Sequence, residues 1–303
     1  AKLRGTASLN EHLFRGPIIL PDLVGLLLRW RTHLISITAD LEKAFLQLSL
    51  RPQDREVTKF LWLQDIEKPP EGANIVVYRY TRVPFGIVSS PYLLAASIRH
   101  IMRDIGSPLA EEIMGNTYVD NVILEAKSVD EALLKYRKAK EYFASAQMNL
   151  REFLTNSDEV NALIPVEDKH KPGVTKILGI AWDPMLDNMH IKLGSLPTQQ
   201  PTKRNILSAV QAIFDPLGLL TPILVNIKAF LQKLWKNQYD WDDALRREKE
   251  KNWDSIVEKW DTTDFVISRK VNLDIEHCEL HVFVDTSALA YAAVVYLVHR
   301  QTG

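Results

Sequence analysis

The sequence has one cysteine, Cys278, in 303 residues. No internal disulfide can form, and no zinc site built on several thiolates can exist; a lone thiol suits a reducing compartment. No apolar run reaches the ~18 residues of a membrane-spanning helix. The longest, residues 17–28, is broken by Pro21, Asp22 and Gly25, so no membrane partner is expected. With 12 Gly and 15 Pro the chain is neither collagen-like nor of low complexity. Charge of one sign is lacking as well: 37 basic and 38 acidic side chains leave a net charge of −1. That is not the excess of a small basic nucleic-acid binder, although a groove can be positive on a neutral protein. There is no signal-peptide pattern and no initiator Met, and the last residues follow directly on an apolar strand. Both ends read as cuts through a longer polypeptide. What is present, 46% apolar and 25% charged residues, describes a globular protein of two or three domains.

Leu23, Leu26, Leu27 and Trp30 share one helical face after Asp22. Residues 33–40 read as a β-branched strand leading into a helix over 41–48, where Leu41, Phe45 and Leu48 are in helical register. Residues 57–63 and 75–82 read as strands, 84–86 as a loop, and Ser90-Pro91 as a helix start with Ser90 as N-cap. Residues 116–124 read as a hairpin tipped by Asp120-Asn121, and 129–148 as an amphipathic helix. Further strands are expected at 175–182 and 190–193. Composition changes near residue 198. A helical pattern over 203–235 follows, then a Trp-rich charged stretch read as helices, then two strands over 278–285 and 290–298.

Two aspartates carry candidate chemistry. Asp40 ends one strand and Asp120 tips a hairpin; if the strands are sheet neighbours, the two carboxylates meet at one edge. Such a pair suits hard, oxygen-seeking cations such as Mg²⁺. Plainer readings stand beside this one. Asp40 is also placed to cap the helix expected over 41–48, and Asp-Asn is ordinary turn chemistry.

The flanking residues resemble a known family. Ala39-Asp40-Leu41-Glu42-Lys43-Ala44-Phe45 is similar to the first catalytic motif of retroelement reverse transcriptases, and residues 80–91, with Pro84-Phe85-Gly86, to the second. Tyr118-Val119-Asp120-Asn121 resembles the hairpin motif Tyr-X-Asp-Asp, and Lys176-Ile177-Leu178-Gly179 the primer grip. Residues 202–222 are similar to the region after the palm in BEL/Pao-type LTR retrotransposons. Val282-Phe283-Val284-Asp285 resembles the first strand of an RNase H domain.

The resemblance implies an α+β right-hand polymerase fold. Residues 1–197 would be partial fingers and a palm of antiparallel sheet and helices, 198–268 a helical thumb or connection, and 269–303 the opening strands of an RNase H-like domain. The implied activity is RNA-directed DNA synthesis, joining dNTPs to a primer 3′-hydroxyl. Two Mg²⁺ ions (Mn²⁺ as a substitute) would be held by Asp40, Asp120 and Asn121. Phe45 would be the steric gate against a ribose 2′-hydroxyl, Phe85 and Gly86 would line the nucleotide and template pocket, and Leu178 and Gly179 would place the primer end. Asp285 would match the first RNase H carboxylate, at a site incomplete within this chain. The implied partners are an RNA or DNA template-primer, dNTP and the rest of a polyprotein or a second copy. The implied location is a cytoplasmic virus-like particle.

Two departures keep a second reading open. Asn121 stands where the family has another aspartate, and an amide brings no charge. The family's basic fingers hairpin would precede Ala1. The second reading is a decayed or co-opted retroelement remnant that binds nucleic acid or protein without catalysis; a structural assembly module is a third.

Overall fold

The computed structural model describes residues 5–171, 173–271 and 277–300. The fold mixes helices with antiparallel sheets, and the chain divides into two compact units. The first comprises residues 5–26 and 34–171, the second 27–33 and the described residues from 173 onward. The compositional change at residue 198 lies inside the second unit. No helix of the described residues is long and apolar enough to cross a membrane.

The elements up to residue 163 are α1 (Leu9–His12), α2 (Leu23–Trp30), β1 (Ile35–Leu41), α3 (Ala44–Gln47), β2 (Lys59–Leu63), β3 (Ile75–Arg79), α4 (Ser90–Ile105), α5 (Pro108–Asn116), β4 (Thr117–Tyr118), β5 (Asn121–Ala126), α6 (Val129–Ser145), β6 (Leu150–Thr155) and α7 (Asp158–Leu163). The main sheet of the first unit runs β4-β5-β1-β6. On β1, Ile37, Ala39 and Leu41 alternate onto one face, where Val122 and Leu124 of β5 join Leu94, Ile98, Tyr136 and Phe143 from α4 and α6 in one buried core. Period-two alternation therefore sends Thr38 and Asp40 to the opposite face. Full burial of a side chain such as Leu94 or Phe143 contributes about 1.5–3 kcal/mol. The helices are capped as their sequences dictate. Ser107 and Ser128 accept backbone N–H bonds from Ala110 and Glu131, and Gly106, at φ 62°, ends α4 in the left-handed conformation. The β2–β3 hairpin leaves Leu61, Trp62 and Val77 exposed.

Several local expectations shift. Residues 41–48 are not one helix: the N–H groups of Leu41 and Glu42 donate to the carbonyls of Asp120 and Asn149, so strand pairing continues to Leu41 and only the single turn of α3 follows. Ser89, not Ser90, is the N-cap of α4, because the Ser90 hydroxyl instead donates to the Pro84 carbonyl. Helix α6 stops at Ser145, short of Met148; Gln147 at φ 59° turns the chain.

The second unit holds β7 (Thr175–Ile177), β8 (Ile180–Asp183), β9 (Asn188–Ile191), α8 (Lys203–Gln211), α9 (Thr221–Lys236), α10 (Arg247–Val257), β10 (Phe265–Ser268), β11 (Cys278–Thr286) and β12 (Tyr291–His299). Its larger sheet runs β10-β9-β8-β7. The expected strand over 175–182 is a hairpin, because Leu178 and Gly179 both take positive φ, 49° and 90°. Arg269 is fully buried in this unit. Its guanidinium forms a two-pronged pair with Asp187 at 2.6 Å on each arm and donates to the carbonyls of Trp30 and His33. Trp30 meets Trp182 edge-on, with ring centroids 5.6 Å apart. Ile206, Ile227, Leu234 and Trp253 form the core of α8–α10. Of the Trp-rich stretch, Trp253 is buried on α10, whereas Trp241 lies in a turn and is exposed. The strands β11 and β12 pair from Cys278–His299 to Thr286–Tyr291, and their apolar side chains face solvent on both sides.

Candidate active site

Asp40 and Asp120 lie 80 positions apart and come together through strand pairing. Asp40 is the register partner of Asn121 across β1 and β5, and the Leu41 N–H donates to the Asp120 carbonyl at 2.9 Å. The turn between β4 and β5 is Val119-Asp120, one residue earlier than expected, because Asn121 already pairs with Tyr118 and Asp40 as the first residue of β5. Val119 takes φ 58°. Hairpins favour glycine at such a position, and a β-branched residue there is strained.

On the other edge of β1, Arg151 of β6 is the partner of Asp40, next to a register irregularity between Thr38 and Asp40. Arg151 pairs with Glu42 at 3.5 Å and Glu152 at 3.6 Å. Among the described residues no ion pair holds Asp40 or Asp120. The Asp40 carboxyl is pushed up to about 6, first by burial, then by Asp120 and Glu152, with Arg151 opposing. A helix-capping aspartate accepts backbone N–H bonds, which pull its pKa down; α3 is instead preceded by Lys43 in the left-handed region, and Asp40 makes no cap bond. The helix-cap reading of Asp40 therefore fails. Asn121 donates from Nδ2 to Asp120 Oδ1 at 2.9 Å, which turns its own amide oxygen away from that carboxylate.

Two carboxylates without an ion pair are chemically suited to a hard divalent cation; the Asn121 amide would join them only after reversing to present its oxygen. The elevated Asp40 carboxyl supports the fit, since a cation would relieve the Asp120 and Glu152 repulsion that adds to burial in raising it. No cluster of three or more His, Cys, Asp or Glu arranged to hold a metal occurs among the described residues.

Phe45, on α3, packs against the core and meets Phe85 edge-on, centroids 5.4 Å apart at 86°. Phe85 itself is 69% exposed. Gly86 has φ 81° with open space where a Cβ would sit, so its backbone conformation, not a close approach, calls for glycine. Phe45 and Gly86 line an open groove of about 750 Å³ together with Arg15, Tyr92 and Tyr118, the last two positions before Asp120. Leu178 and Gly179 form the β7–β8 tip in the second unit, where a Cβ on Gly179 would lie 2.7 Å from the Phe214 ring. Asp285 is exposed on β11 and accepts from its neighbour Thr286. Sequence reasoning missed Arg151 and Glu152: nothing in their local pattern marks them, and only the β1–β6 register brings them to Asp40.

Residues 14–153 match the family model of the reverse transcriptase (RNA-dependent DNA polymerase). That stretch contains both aspartates and the Phe45 groove, and the class it defines is a reverse-transcriptase domain, a family that generally uses divalent metal ions. Residues 202–303 match the Pao retrotransposon-like RNaseH-like domain. Together the two matches support a reverse-transcriptase region of the BEL/Pao retrotransposon type.

Proposed function

We propose that this chain is the catalytic part of an RNA-directed DNA polymerase that extends a primer with dNTPs on a nucleic-acid template. The observation that carries the proposal is the pairing of Asp40 with the Asp120-Asn121 turn, which leaves two carboxylates without a cation partner, one of them raised to about 6. In this reading the β4-β5-β1-β6 sheet with α4–α6 is a palm within residues 1–197, alongside partial fingers. Residues 198–268 are thumb or connection, and 269–303 open an RNase H-like domain in which Asp285 is a first acidic residue.

Asp40, Asp120 and the amide oxygen of Asn121 would hold divalent metal, Mg²⁺ by preference and two ions when fully loaded. Bound there, the metal would favour attack of the primer 3′-hydroxyl on the α-phosphorus of the dNTP and neutralise charge on the departing pyrophosphate. The protein side chains do the rest. The Phe45 ring, held edge-on by Phe85, occupies the space a ribose 2′-hydroxyl would need. Gly86 and Phe85 shape the nucleotide and template wall. Leu178 and Gly179, at a hairpin tip of the second unit, would serve as the primer grip.

Asn121 favours one rival, a remnant that binds nucleic acid without catalysis. An amide in place of a carboxylate weakens cation binding, and loss of one transition-state electrostatic partner costs on the order of 10²–10³ in rate. Primer extension on an RNA template with Mg²⁺ separates the two. Extension abolished by Asp40→Ala establishes the polymerase. Template binding with no extension, unchanged when Asn121→Asp restores the second carboxylate, establishes the remnant.

A further inference from the structure

The loop that carries Phe85 is held from outside itself. Phe85 is 69% exposed and meets the Phe45 ring edge-on, so packing of its own side chain does little to fix it. Its place is set by the backbone on either side. Before it, the Pro84 carbonyl accepts from the Ser90 hydroxyl at 3.1 Å. After it, the clasp comes from a residue 76 positions away. The Asn10 side chain donates from Nδ2 to the Gly86 carbonyl at 2.8 Å and accepts at Oδ1 from the Val88 N–H at 2.9 Å. One amide thus meets the carbonyl of one residue and the N–H two residues on, as the next strand of a parallel ladder would. Both of its polar ends are used, one as donor and one as acceptor.

Asn10 is exposed, and an exposed side chain can hold a loop only if its own segment is fixed. The Ser8 N–H donates to the Glu11 carboxylate and closes the turn of α1. Further along, Gly16 at φ 83° lies so near Tyr92 of α4 that a Cβ would overlap the ring. The Arg99 guanidinium of α4 donates to the Ile19 carbonyl. Residues 8–19 are therefore a strap tied down along α4. The strap residues from Arg15 to Leu20 line the same groove as Phe45, Gly86 and Tyr118, and all of these residues belong to the first unit.

We propose, resting on the polymerase reading above, that Asn10 is a positioning residue for nucleotide selection. It fixes the Gly86 end of the loop and with it Phe85. Phe85 braces Phe45, and the braced ring stays where it excludes a ribose 2′-hydroxyl. Asn10 acts through Phe85 and is not itself a catalytic residue. A clasp that served stability alone would, when cut, weaken use of both nucleotides equally; a clasp that sets the ring changes their ratio.

The test is steady-state primer extension by the full 303-residue chain, with dNTP and rNTP compared as a ratio of kcat/KM. Asn10→Ala should raise the rNTP-to-dNTP ratio by about 5-fold, the worth of one net hydrogen bond, with kcat for dNTP held within about 2-fold. Asn10→Asp keeps the acceptor for Val88 but sets a carboxylate against the Gly86 carbonyl, so the ratio should rise at least as far; it stands in should Asn10→Ala misfold. In a Phe45→Ala background, Asn10→Ala should change the ratio by less than about 2-fold, because the ring it acts on is gone. His12→Ala, on the same turn, should leave the ratio as it is. Hydrogen exchange of the segment 84–92, with no substrate present, should be about 5-fold faster in Asn10→Ala. The proposal is overturned if neither Asn10 variant moves the ratio, if kcat/KM falls equally for both nucleotides, or if the effect is as large without the Phe45 ring. Unchanged exchange overturns it with no activity measured. The two readings fail differently: a parent that extends no primer ends the polymerase reading, whereas a parent that extends and discriminates no better than its Asn10 variants ends this proposal alone.

Discussion

Replacing Asp40 by asparagine keeps shape and removes charge, so it isolates the electrostatic claim at the centre of the site. A carboxyl held near 6 instead of 3.8 implies a difference of about 3 kcal/mol between its two protonation states. Asp40 is only partly buried, and solvent screening leaves half of that, about 1–1.5 kcal/mol. The sign follows from linkage. The folded state holds this proton more tightly than the unfolded chain, so the group's favourable contribution is complete below about pH 3.8 and is lost as pH rises through about 6. Above that, the ionised carboxylate is a cost to folding.

Asp40→Asn should therefore be more stable than the parent by about 1 kcal/mol at pH 7.5, and the difference should shrink toward pH 4. In a unit of this size that is a rise of roughly 2–4 °C in Tm, read by circular dichroism at four pH values without divalent ions. Adding 10 mM Mg²⁺ should then stabilise the parent. At a Kd of ~1 mM the gain is about 1.4 kcal/mol, and the variant should lose most of it. A variant less stable than the parent at pH 7.5, or a difference that does not change between pH 4 and 7.5, would refute the electrostatic reasoning.

Three other perturbations have definite outcomes. Phe45→Ala should raise incorporation of rNTP relative to dNTP by about 10–100-fold in single-turnover extension, the range that shape discrimination against one hydroxyl spans. Arg269→Ala strands the Asp187 carboxylate against Trp182 and should cost about 3–5 kcal/mol in urea unfolding, while Arg269→Met combined with Asp187→Leu should recover most of it. Gly179→Ala places a Cβ 2.7 Å from Phe214 at φ 90° and should cost about 1–3 kcal/mol; Phe214→Ala should restore only the steric part, because the backbone strain remains.

Much of the fold was legible because local signals agreed with one another. The faces of α2 and α6, the β-branched run of β1 and the 278–298 hairpin all follow from periodicity and turn chemistry. The errors have a common cause in long-range pairing. Leu41, Glu42 and Lys43 suggest a helix, but two of their amides are taken by Asp120 and Asn149, partners that no local window contains. Leu178 hid the β7–β8 turn, because leucine rarely accepts the positive φ it has there. The aspartate pair was found from its motif context. Glu152 and Arg151, which help set the Asp40 charge balance, carried no such signal; β6 itself went unread. Arg269 was equally invisible: an arginine just past a short apolar strand does not announce that it is wholly buried.

Where the backbone is strained bears on whether the aspartate pair is functional or an ordinary turn. Four non-glycine residues of the first unit have positive φ: Lys43, Val119, Gln147 and Glu152. Gln147 reverses the chain after α6. The other three flank the pair: Lys43 follows Asp40 by three positions, Val119 precedes Asp120, and Glu152 follows the register partner of Asp40. Each such residue costs of order 1–3 kcal/mol, and the raised Asp40 carboxyl adds an electrostatic cost at the same sheet edge. A hairpin selected for stability alone would place glycine or asparagine at position 119 and would not set an unpaired carboxylate opposite the turn. Strain and like charge gathered around Asp40 and Asp120 are consistent with a preorganised cation site. They favour reading Asp120-Asn121 as more than turn chemistry.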